Sequence, residues 1–352
     1  MRYQGFRREY QVVEANRQPV TIYDVAQRAG VSIATVSRAL NGATMVARST
    51  RDRVQAVADE LQFRPSRLGQ SLAEGRHAAN GIVFPDLSGP YYAEVVLGYE
   101  EIAADLGSSV LILATRDRPD PVGRVLDLVR RVDGMVVMGR TIPDEVVSRI
   151  ARTGLPLVLL ARPGIGHTDT LNADNEASTR RLVEHLASHG HRRMEFLGDP
   201  AESPDVTGRY AGFRLGLADA GLATPVGPVR CAFDVTAGRN AARQILSAPT
   251  RPEALVCAND EIALGALEAT EAMGLSVPDD VAITGWDDVM AARYARLTTV
   301  RQPMRELGAT AARWLQERIT GSTAPIRQEV LHTQLVIRSS CGPHESEREE
   351  AR

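Results

Sequence analysis

A short segment near the N-terminus carries side chains suited to hydrogen bonding with the edges of nucleic-acid bases. Its candidate contact residues share one property, which is that none is acidic and none would repel a phosphate: Ser32, Ile33, Ala34, Thr35, Ser37, Arg38 and Asn41. The guanidinium group of Arg38 can donate two parallel hydrogen bonds to one base, most often guanine. Ile33 and Ala34 are apolar and can contact thymine methyl groups. These residue types indicate a surface that recognises duplex DNA.

Two short helices and a tight turn must position that surface. Thr21 is a candidate N-cap of the first helix, because apolar residues recur at helical spacing over 22–29. Gly30 breaks this helix, and Ser32 is a candidate N-cap of the second. Two short helices joined by a glycine turn form a helix-turn-helix, whose second helix enters the major groove.

This segment resembles the headpiece of the LacI/GalR family of bacterial transcription regulators. The pattern T-x-x-D-V-A-x-x-A-G-V-S-x-x-T-V-S-R-x-L-N occurs in full from Thr21 to Asn41, and the resemblance extends over residues 20–342. It implies an all-α helix-turn-helix headpiece followed by an α/β core of two doubly wound lobes, like that of periplasmic binding proteins. It also implies a repressor that binds near-palindromic operator DNA as a homodimer under the control of a small ligand. Thr21 is included among the expected DNA contacts.

The segment after the second helix completes the expected headpiece. Ser49 and Asp52 resemble a capping box and predict a third helix over 50–61. Beyond it, the resemblance assigns Arg67 and Leu72 to DNA binding, with the leucine wedged into the minor groove. A plain interdomain linker is the alternative interpretation of this region.

Sequence patterns divide the chain into five segments. They are a flexible extension (1–18), the helix-turn-helix domain (19–63), a hinge (64–76), a two-lobed effector-binding and dimerisation domain (77–342) and a polar tail (343–352). The tail has no leucine heptads, so we expect no tetramer-forming coiled coil.

Charge and composition agree with a small DNA-binding module on a larger body. The formal net charge is −3, but residues 1–72 carry a balance of +5 and the remainder therefore carries −8. No apolar run approaches the ~20 residues of a membrane helix, and the first residues lack the apolar centre of a secretory signal. The three cysteines are far apart in the sequence and are interpreted as reduced thiols. We therefore expect a cytoplasmic protein with no membrane partner.

From Gly81 onward, short apolar runs alternate with amphipathic stretches in two successive series. This alternation predicts two parallel, doubly wound sheets, with a ligand site at the carboxyl ends of their strands. By the resemblance, the chain crosses between lobes near Ala173, Gln302 and Val330. Lobe 1 would comprise about 77–173 and 303–329, and lobe 2 about 174–302 and 330–342.

Polar and aromatic side chains after several of these strands are candidate ligand contacts. They are Tyr91, Tyr92, Arg162, Arg209, Phe233, Asn259, Asp287 and Gln302. The rings suit stacking on a sugar or base. The resemblance assigns Arg209, at the start of a predicted helix, to ligand oxygens. Asn259 and Asp287, on loops after strands, would bind hydroxyl groups. Each has a structural alternative, such as a helix cap or a core position, but together they favour a sugar or sugar derivative.

Ala161 departs from the family pattern. Many sugar-binding members have an aspartate at this position, where it holds ring hydroxyls. The alanine, with Arg162 beside it, disfavours a simple neutral hexose. It leaves open an acidic or phosphorylated ligand, an Arg162 that faces solvent, or a cleft that has lost its ligand.

Other chemistry is not supported by the sequence. His185, His189 and His191 are close together, but no carboxylate or cysteine completes a metal site. The chain has no Walker A loop, no G-x-G-x-x-G fingerprint and no defensible catalytic triad. We therefore expect no metal, no cofactor and no catalysis. A transport receptor for sugars is a further alternative, which the helix-turn-helix and the absence of an export signal disfavour.

Overall fold

The computed structural model of the protein describes residues 20–40, 45–63 and 76–342. The chain divides into two compact units, Met1–Arg76 and His77–Arg352. The predicted DNA contacts Asn41, Arg67 and Leu72 lie outside the described residues, as do the extension 1–18, most of the hinge and the tail 343–352.

Over 20–40 and 45–63, the first unit has three helices: α1 (Ile22–Ala29), α2 (Ile33–Leu40) and α3 (Arg48–Glu60). The Asp24 carboxylate accepts hydrogen bonds from the backbone N (2.7 Å) and Oγ1 (2.8 Å) of Thr21, which fixes the start of α1. Gly30 ends α1 in the left-handed region at φ +63°. The backbone N of Thr35 donates to Ser32 Oγ at 3.1 Å and so begins α2.

Helix α3 begins two residues earlier than predicted, so the capping box of Ser49 and Asp52 is wrong. The N-cap is Ala47, whose carbonyl accepts from the backbone N of Thr50 and Arg51, both at 3.0 Å. The first turn therefore encloses Ser49, which lies inside the helix and does not cap it. All three helices contribute to one apolar core, made of Val25, Ala26, Ala29, Val36, Ala39, Val54 and Ala58.

Lobe 1 of the second unit contains an all-parallel, six-stranded sheet. Its strands are β1 (Ala79–Phe84), β2 (Ser109–Ala114), β3 (Gly134–Met138), β4 (Leu157–Leu160), β5 (Asp169–Ala173) and β10 (Gln328–Leu331), in the order β10-β5-β4-β3-β1-β2. Its helices are α4 (Pro90–Asp105), α5 (Pro121–Val129), α6 (Asp144–Ala151) and α12 (Met304–Ile319). The buried faces of β1, β3 and β4 pack against these helices in two apolar clusters.

Lobe 2 contains a five-stranded sheet. Its strands are β6 (Met194–Leu197), β7 (Ala254–Cys257), β8 (Ala282–Asp287), β9 (Thr298–Arg301) and β11 (Gln334–Val336), in the order β11-β9-β8-β7-β6, with only β11 antiparallel. Its helices are α7 (Glu176–Ser188), α8 (Pro204–Asp219), α9 (Val235–Leu246), α10 (Asp260–Ala272) and α11 (Met290–Tyr294), and a 3₁₀ turn covers Ser339–Cys341.

The chain passes between the lobes after β5, after β9 and after β10. Val330, where the third crossing was expected, lies inside β10 and pairs with Asn172 of lobe 1, so this crossing follows Leu331. The three segments lie side by side. Asp174 N donates to Leu331 O at 3.0 Å, and Gln334 pairs with Arg301 in lobe 2.

Helices within each lobe approach closely at glycines. A Cβ atom on Gly98 of α4 would lie 1.9 Å from the carbonyl oxygen of Arg305 in α12. In lobe 2, a Cβ on Gly265 of α10 would lie 2.1 Å from the Val235 carbonyl of α9. Only glycine permits these distances, so the two positions set how the helices cover their sheets. Among the helices described here, none is long and apolar enough to span a membrane.

Candidate effector site and DNA-binding face

Helix α2 presents the residues predicted to contact DNA on one side of the headpiece. Ser32, Ile33, Ala34 and Arg38 are exposed, whereas Thr35 and Ser37 are partly buried. Val36 and Ala39 point into the core. Within 20–40 and 45–63, no ion pair or hydrogen bond engages the Arg38 guanidinium. Thr21 is exposed, and its hydroxyl is engaged by Asp24 as part of the cap of α1.

A cavity of about 350 Å³ opens between the two lobes at the carboxyl ends of the parallel strands. Residues at or just after the ends of β1 to β4 line it from lobe 1. From lobe 2 it is lined by the segment after β6 with the start of α8, the segment before α9, the residues after β7, the end of β8 and the residue after β9. Seven of the eight predicted effector residues are in the lining: Tyr91, Tyr92, Arg209, Phe233, Asn259, Asp287 and Gln302. Its size lies within the range of small-molecule sites.

Arg162 is the exception, and its prediction as a ligand contact does not fit the structure. Its side chain is only 2% exposed, forms a short ion pair with Asp144 and lies 3.5 Å from the Ile142 carbonyl oxygen. The preceding Ala161 lines the cavity instead, with φ +53°. The chain leaves β4 at Leu160 and turns at Ala161, and the Arg162 side chain is directed towards Asp144 and away from the cleft.

Arg209 is held rigidly at the floor of the cleft. Its Nε donates to Asn175 Oδ1 at 2.8 Å, its Nη1 donates to the Ala258 carbonyl at 2.7 Å, and the guanidinium stacks 4.4 Å from the centre of the Trp286 ring. Helix α8 begins at Pro204, so Arg209 lies in its second turn and not at its start as predicted. These contacts leave Nη2 to donate to a ligand in a fixed direction.

Asp287 and Gln302 form a buried pair beside Arg209. Asp287 is the last residue of β8 and not a loop residue as predicted, and Nε2 of Gln302 donates to its Oδ1. Burial, with a smaller contribution from the nearby Glu261 and Asp205, raises the pKa of the Asp287 carboxyl to about 7 against the lowering effects of Arg209 and Gln302. Within the described residues, Oε1 of Gln302 is buried and accepts no hydrogen bond.

Asn259 has both of the roles weighed for it from sequence. Its Oδ1 accepts from Ile262 N at 3.0 Å and caps α10, while the residue also lines the cavity. Its Nδ2 donates to Glu261 at 3.4 Å. The cap uses one of the two lone pairs of the carbonyl oxygen, so Asn259 can offer a ligand its amide N–H groups and one further acceptor site.

Aromatic rings form one side of the cavity. Tyr91 and Tyr92, from the start of α4, meet edge to face with their centroids 5.3 Å apart, and Tyr92 packs in the same way on Phe84 at 5.6 Å. Burial raises the pKa of both tyrosine hydroxyls, so both remain protonated donors near neutral pH. Phe233, just before α9, lines the cavity from lobe 2.

Sequence reasoning missed several charged residues that line the same cavity. They are Asp86, Arg116, Arg140, Glu202, Asp205, Asp234 and Glu261. Arg116 pairs with Asp86 at 3.1 Å and approaches Glu202 at 3.9 Å, and Arg140 donates to the Ala201 carbonyl across the cleft at 2.8 Å. The available signal was position, because most of these residues follow a strand of one of the two sheets within a few residues, whereas Asp205 lies at the start of α8 and Asp234 caps α9.

The histidine cluster packs against the C-terminal 3₁₀ turn. His185 Nε2 lies 3.3 Å from Cys341 Sγ, and His191 Nε2 lies 2.9 Å from the Cys341 carbonyl oxygen. Across 20–40, 45–63 and 76–342, no three His, Cys, Asp or Glu residues are arranged to hold a metal ion.

Comparison with known proteins identifies the family. Residues 21–66 match the model for bacterial regulatory proteins of the lacI family, and residues 183–341 match a periplasmic binding protein-like domain. The chain is 32% identical over 327 residues to the HTH-type transcriptional repressor PurR of Pasteurella multocida (strain Pm70), covering 91% of this chain and 98% of that protein. The chain belongs to the lacI family.

Two solved structures have the same architecture. One is the Lac repressor dimer bound to operator and the anti-inducer ONPF, with a TM-score of 0.82 and 30% identity over 93% of this chain and all of that one. The other is a complex of the transcriptional regulator CelR with cellobiose, with a TM-score of 0.69 and 29% identity over 91% and 99% of the two chains. The fold predicted from sequence is confirmed, and this lacI-family chain is a DNA-binding transcriptional regulator.

Proposed function

We propose that this regulator represses transcription by binding a near-palindromic operator as a homodimer, under the control of a small ligand held between its lobes. The observation that carries the proposal is a cleft lined from both lobes in a chain with a lacI-family headpiece. A ligand that contacts both lobes binds one arrangement of them better than another. A coupling of about 1–3 kcal/mol between ligand and operator is the usual scale.

On the DNA side, the proposed contacts are the exposed residues of α2. Arg38 supplies a charged fork of donors for a base edge, while Ile33 and Ala34 supply apolar contacts. One headpiece covers only a few base pairs, so two-fold symmetry provides two half-sites. Because the proposed partner is operator DNA, the proposed site of action is the cytoplasm.

On the ligand side, the proposed contacts are the seven cavity residues predicted from sequence. Arg209, Asn259 and Asp287 provide hydrogen bonds, and the aromatic rings provide apolar faces, which together suit a sugar or sugar derivative. The bound cellobiose in the CelR complex is consistent with a sugar in this cleft. Regulation of carbohydrate metabolism follows as the proposed physiological role.

The test begins by selecting duplexes bound by the full-length protein from a random-sequence pool. Enrichment of a near-palindrome is expected, and enrichment of a single half-site would contradict the dimer. A thermal-shift screen of sugars and their derivatives then identifies a ligand, and anisotropy titrations measure operator affinity with and without it.

The Phe233→Ala variant tests whether the cleft is the ligand site. It should lose most of the ligand effect while retaining wild-type operator affinity in the absence of ligand. Leu215→Ala, an exposed apolar residue of lobe 2 outside the cavity lining, is the matched control and should retain both. A full ligand response in Phe233→Ala would place the ligand elsewhere.

A further inference from the structure

The lobe 2 side of the cleft, which contains Asp205, Glu261 and Asp287 and which we call the inner wall, has an excess of carboxyl groups that can accept hydrogen bonds. Asp205, Glu261 and Asp287 bring three carboxyl groups to the lining. Asp205 accepts from Asn175 Nδ2 at 2.9 Å, and Glu261 accepts from Asn259 at 3.4 Å. The remaining oxygen atoms of these carboxyl groups face a cavity in which a ligand can supply donors.

Gln302 independently indicates a missing donor. The residue is 2% exposed and lines the cavity, and its Nε2 is committed to Asp287. Its Oε1 is buried and accepts no hydrogen bond from any described residue. A buried amide oxygen without a donor costs about 1–3 kcal/mol, and a ligand N–H or O–H group at this place would remove that cost.

The inner wall also has too few positive charges to balance its three carboxyl groups. Arg209 is the cation that acts on both Asp205 and Asp287. Arg116, in the loop after β2, is paired with Asp86, and Arg140, in the loop after β3, donates to a backbone carbonyl oxygen. Arg162 is paired with Asp144 away from the cavity. One guanidinium therefore acts on two of the three carboxyl groups, and the third, Glu261, lies near the further carboxyl groups of Asp234 and Asp86.

We propose that the effector carries a protonated amine, held by Asp205, Glu261 and Asp287, on a hydroxyl-rich ring that packs against Tyr91 and Phe233. This inference rests on the proposed function, because it assumes that the cleft binds a small ligand. The chemical class is a polyhydroxylated amine such as an amino sugar. Phosphorylated and carboxylated sugars are excluded, because their charge would meet the three carboxyl groups at close range.

The acidity of these groups supports the proposal. Burial raises the pKa of all three carboxyl groups, and their mutual repulsion raises that of Asp287 further, against the attraction of Arg209. Tyr91, which also faces Asp205 and Asp287, remains protonated. A bound ammonium group favours the ionised carboxylates, so its binding near pH 6.5 releases protons from the protein.

Isothermal titration of the full-length protein with a matched series tests the idea. The series is glucosamine, galactosamine and mannosamine, then their parent hexoses, N-acetylated forms and 6-phosphates. An amine should bind at least tenfold more tightly than its N-acetyl and parent forms, and the 6-phosphates should not bind. Titrations in buffers of different ionisation enthalpy should show proton release with the amine alone.

Charge-neutralising variants distinguish the effect of a carboxylate on ligand binding from an effect on the fold. Glu261→Gln, which preserves shape, should lower amine affinity about tenfold, a larger loss than for the parent hexose, and should reduce proton release. Glu268→Gln, on the exposed side of the same helix, is the control and should match the wild type. An unchanged amine preference in Glu261→Gln would overturn the proposal.

The outcomes distinguish this inference from the function on which it rests. Tighter binding of a parent hexose, an N-acetyl sugar or a phosphate than of the matched amine would overturn the inference and leave ligand control intact. Binding of no member of the series would count against both.

Discussion

At the scale of single residues, Asp287 makes stability depend on pH. Its carboxyl is 6% exposed, and its pKa is raised from the ordinary value of 3.8 to about 7. The folded protein holds this proton more tightly than the unfolded chain, so raising the pH from about 4 to 7 destabilises the fold. Well above pH 7, the contribution of this bound proton to the free energy of unfolding is lost completely.

Asp287→Asn should remove this dependence, because the amide stays neutral. The Tm of the wild type should fall relative to the variant between pH 5 and pH 8, by on the order of 5 °C. Scanning calorimetry at both pH values measures the difference. Asp279→Asn, at an exposed position, should give the same Tm difference from wild type at both.

Arg38 is the residue on which sequence-specific binding should depend most. Arg38→Ala should cost about 1–3 kcal/mol at the selected operator and less on random duplex DNA. Anisotropy titrations at one fixed salt concentration measure both. Equal losses on the two duplexes would mean that Arg38 contacts phosphate and not a base.

At the scale of elements, the contact between α9 and α10 depends on the absence of a side chain. Gly265→Ala places a Cβ 2.1 Å from the Val235 carbonyl, so the helices must separate. Overpacking of this kind costs about 1–3 kcal/mol. The Tm should fall by several degrees, whereas Gly227→Ala, with nothing within 4 Å, should leave it unchanged.

A buried carboxylate, Asp169 of β5, forms ion pairs with Arg318 of α12 and with Arg327 in the segment before β10. The Asp169 carboxylate accepts from Arg318 Nε and Nη2, both at 2.8 Å, and from Arg327 N (2.8 Å) and Nη2 (3.0 Å). Burial raises the pKa of Asp169, but these hydrogen bonds outweigh it and lower the pKa to about 2. The stabilisation is therefore complete above about pH 4 and is lost as the pH falls towards 2.

Asp169→Asn should destabilise lobe 1 by about 3 kcal/mol at neutral pH, because two partly buried guanidinium groups lose their counter-charge. Urea unfolding at pH 7 and pH 3 should show the difference from wild type shrinking at the lower pH. Asp219→Asn, in an exposed pair with Arg180, should have an effect below about 1 kcal/mol.

Much of this organisation was predictable from sequence, because local patterns determine it. The helix-turn-helix follows from a glycine turn and a short apolar period, and the strand–helix alternation predicts two parallel sheets. Four strands, β5, β9, β10 and β11, were not among the predicted apolar runs. The five residues of β5, Asp169–Ala173, are mixed in polarity and are buried only by pairing with β4 and β10. Such pairing is not visible in local periodicity.

The site was predictable in position but less so in detail. Residues after strands were placed in the cleft, because parallel strands end at the same edge. The direction of Arg162 depended on its partner Asp144, eighteen residues away, and the start of α8 depended on Pro204. The excess of carboxyl groups on the inner wall appeared only when α8, α10 and β8 of lobe 2 were brought together in the structure.

At the scale of the whole molecule, exposed apolar side chains on both lobes favour a dimer. Ile112, on the edge strand β2, is 43% exposed, and Met290 and Tyr294 of α11 are more exposed still. Light scattering should give twice the 38.2 kDa chain mass at micromolar concentration. Ile112→Asp should shift the mass towards one chain and weaken operator binding, whereas Val226→Asp should not. A wild-type monomer or tetramer would contradict the prediction.

The three neighbouring segments that connect the lobes also restrict how the lobes can move. A single connection would allow one lobe to rotate about several axes relative to the other. Three adjacent connections should restrict this motion to rotation about one axis. Every ligand in the cleft must then act through the same rotation, whichever residues it touches. If the proposed ligand control is correct, ligands with opposite effects on operator binding should differ in the angle between the lobes that they favour and not in the direction of motion.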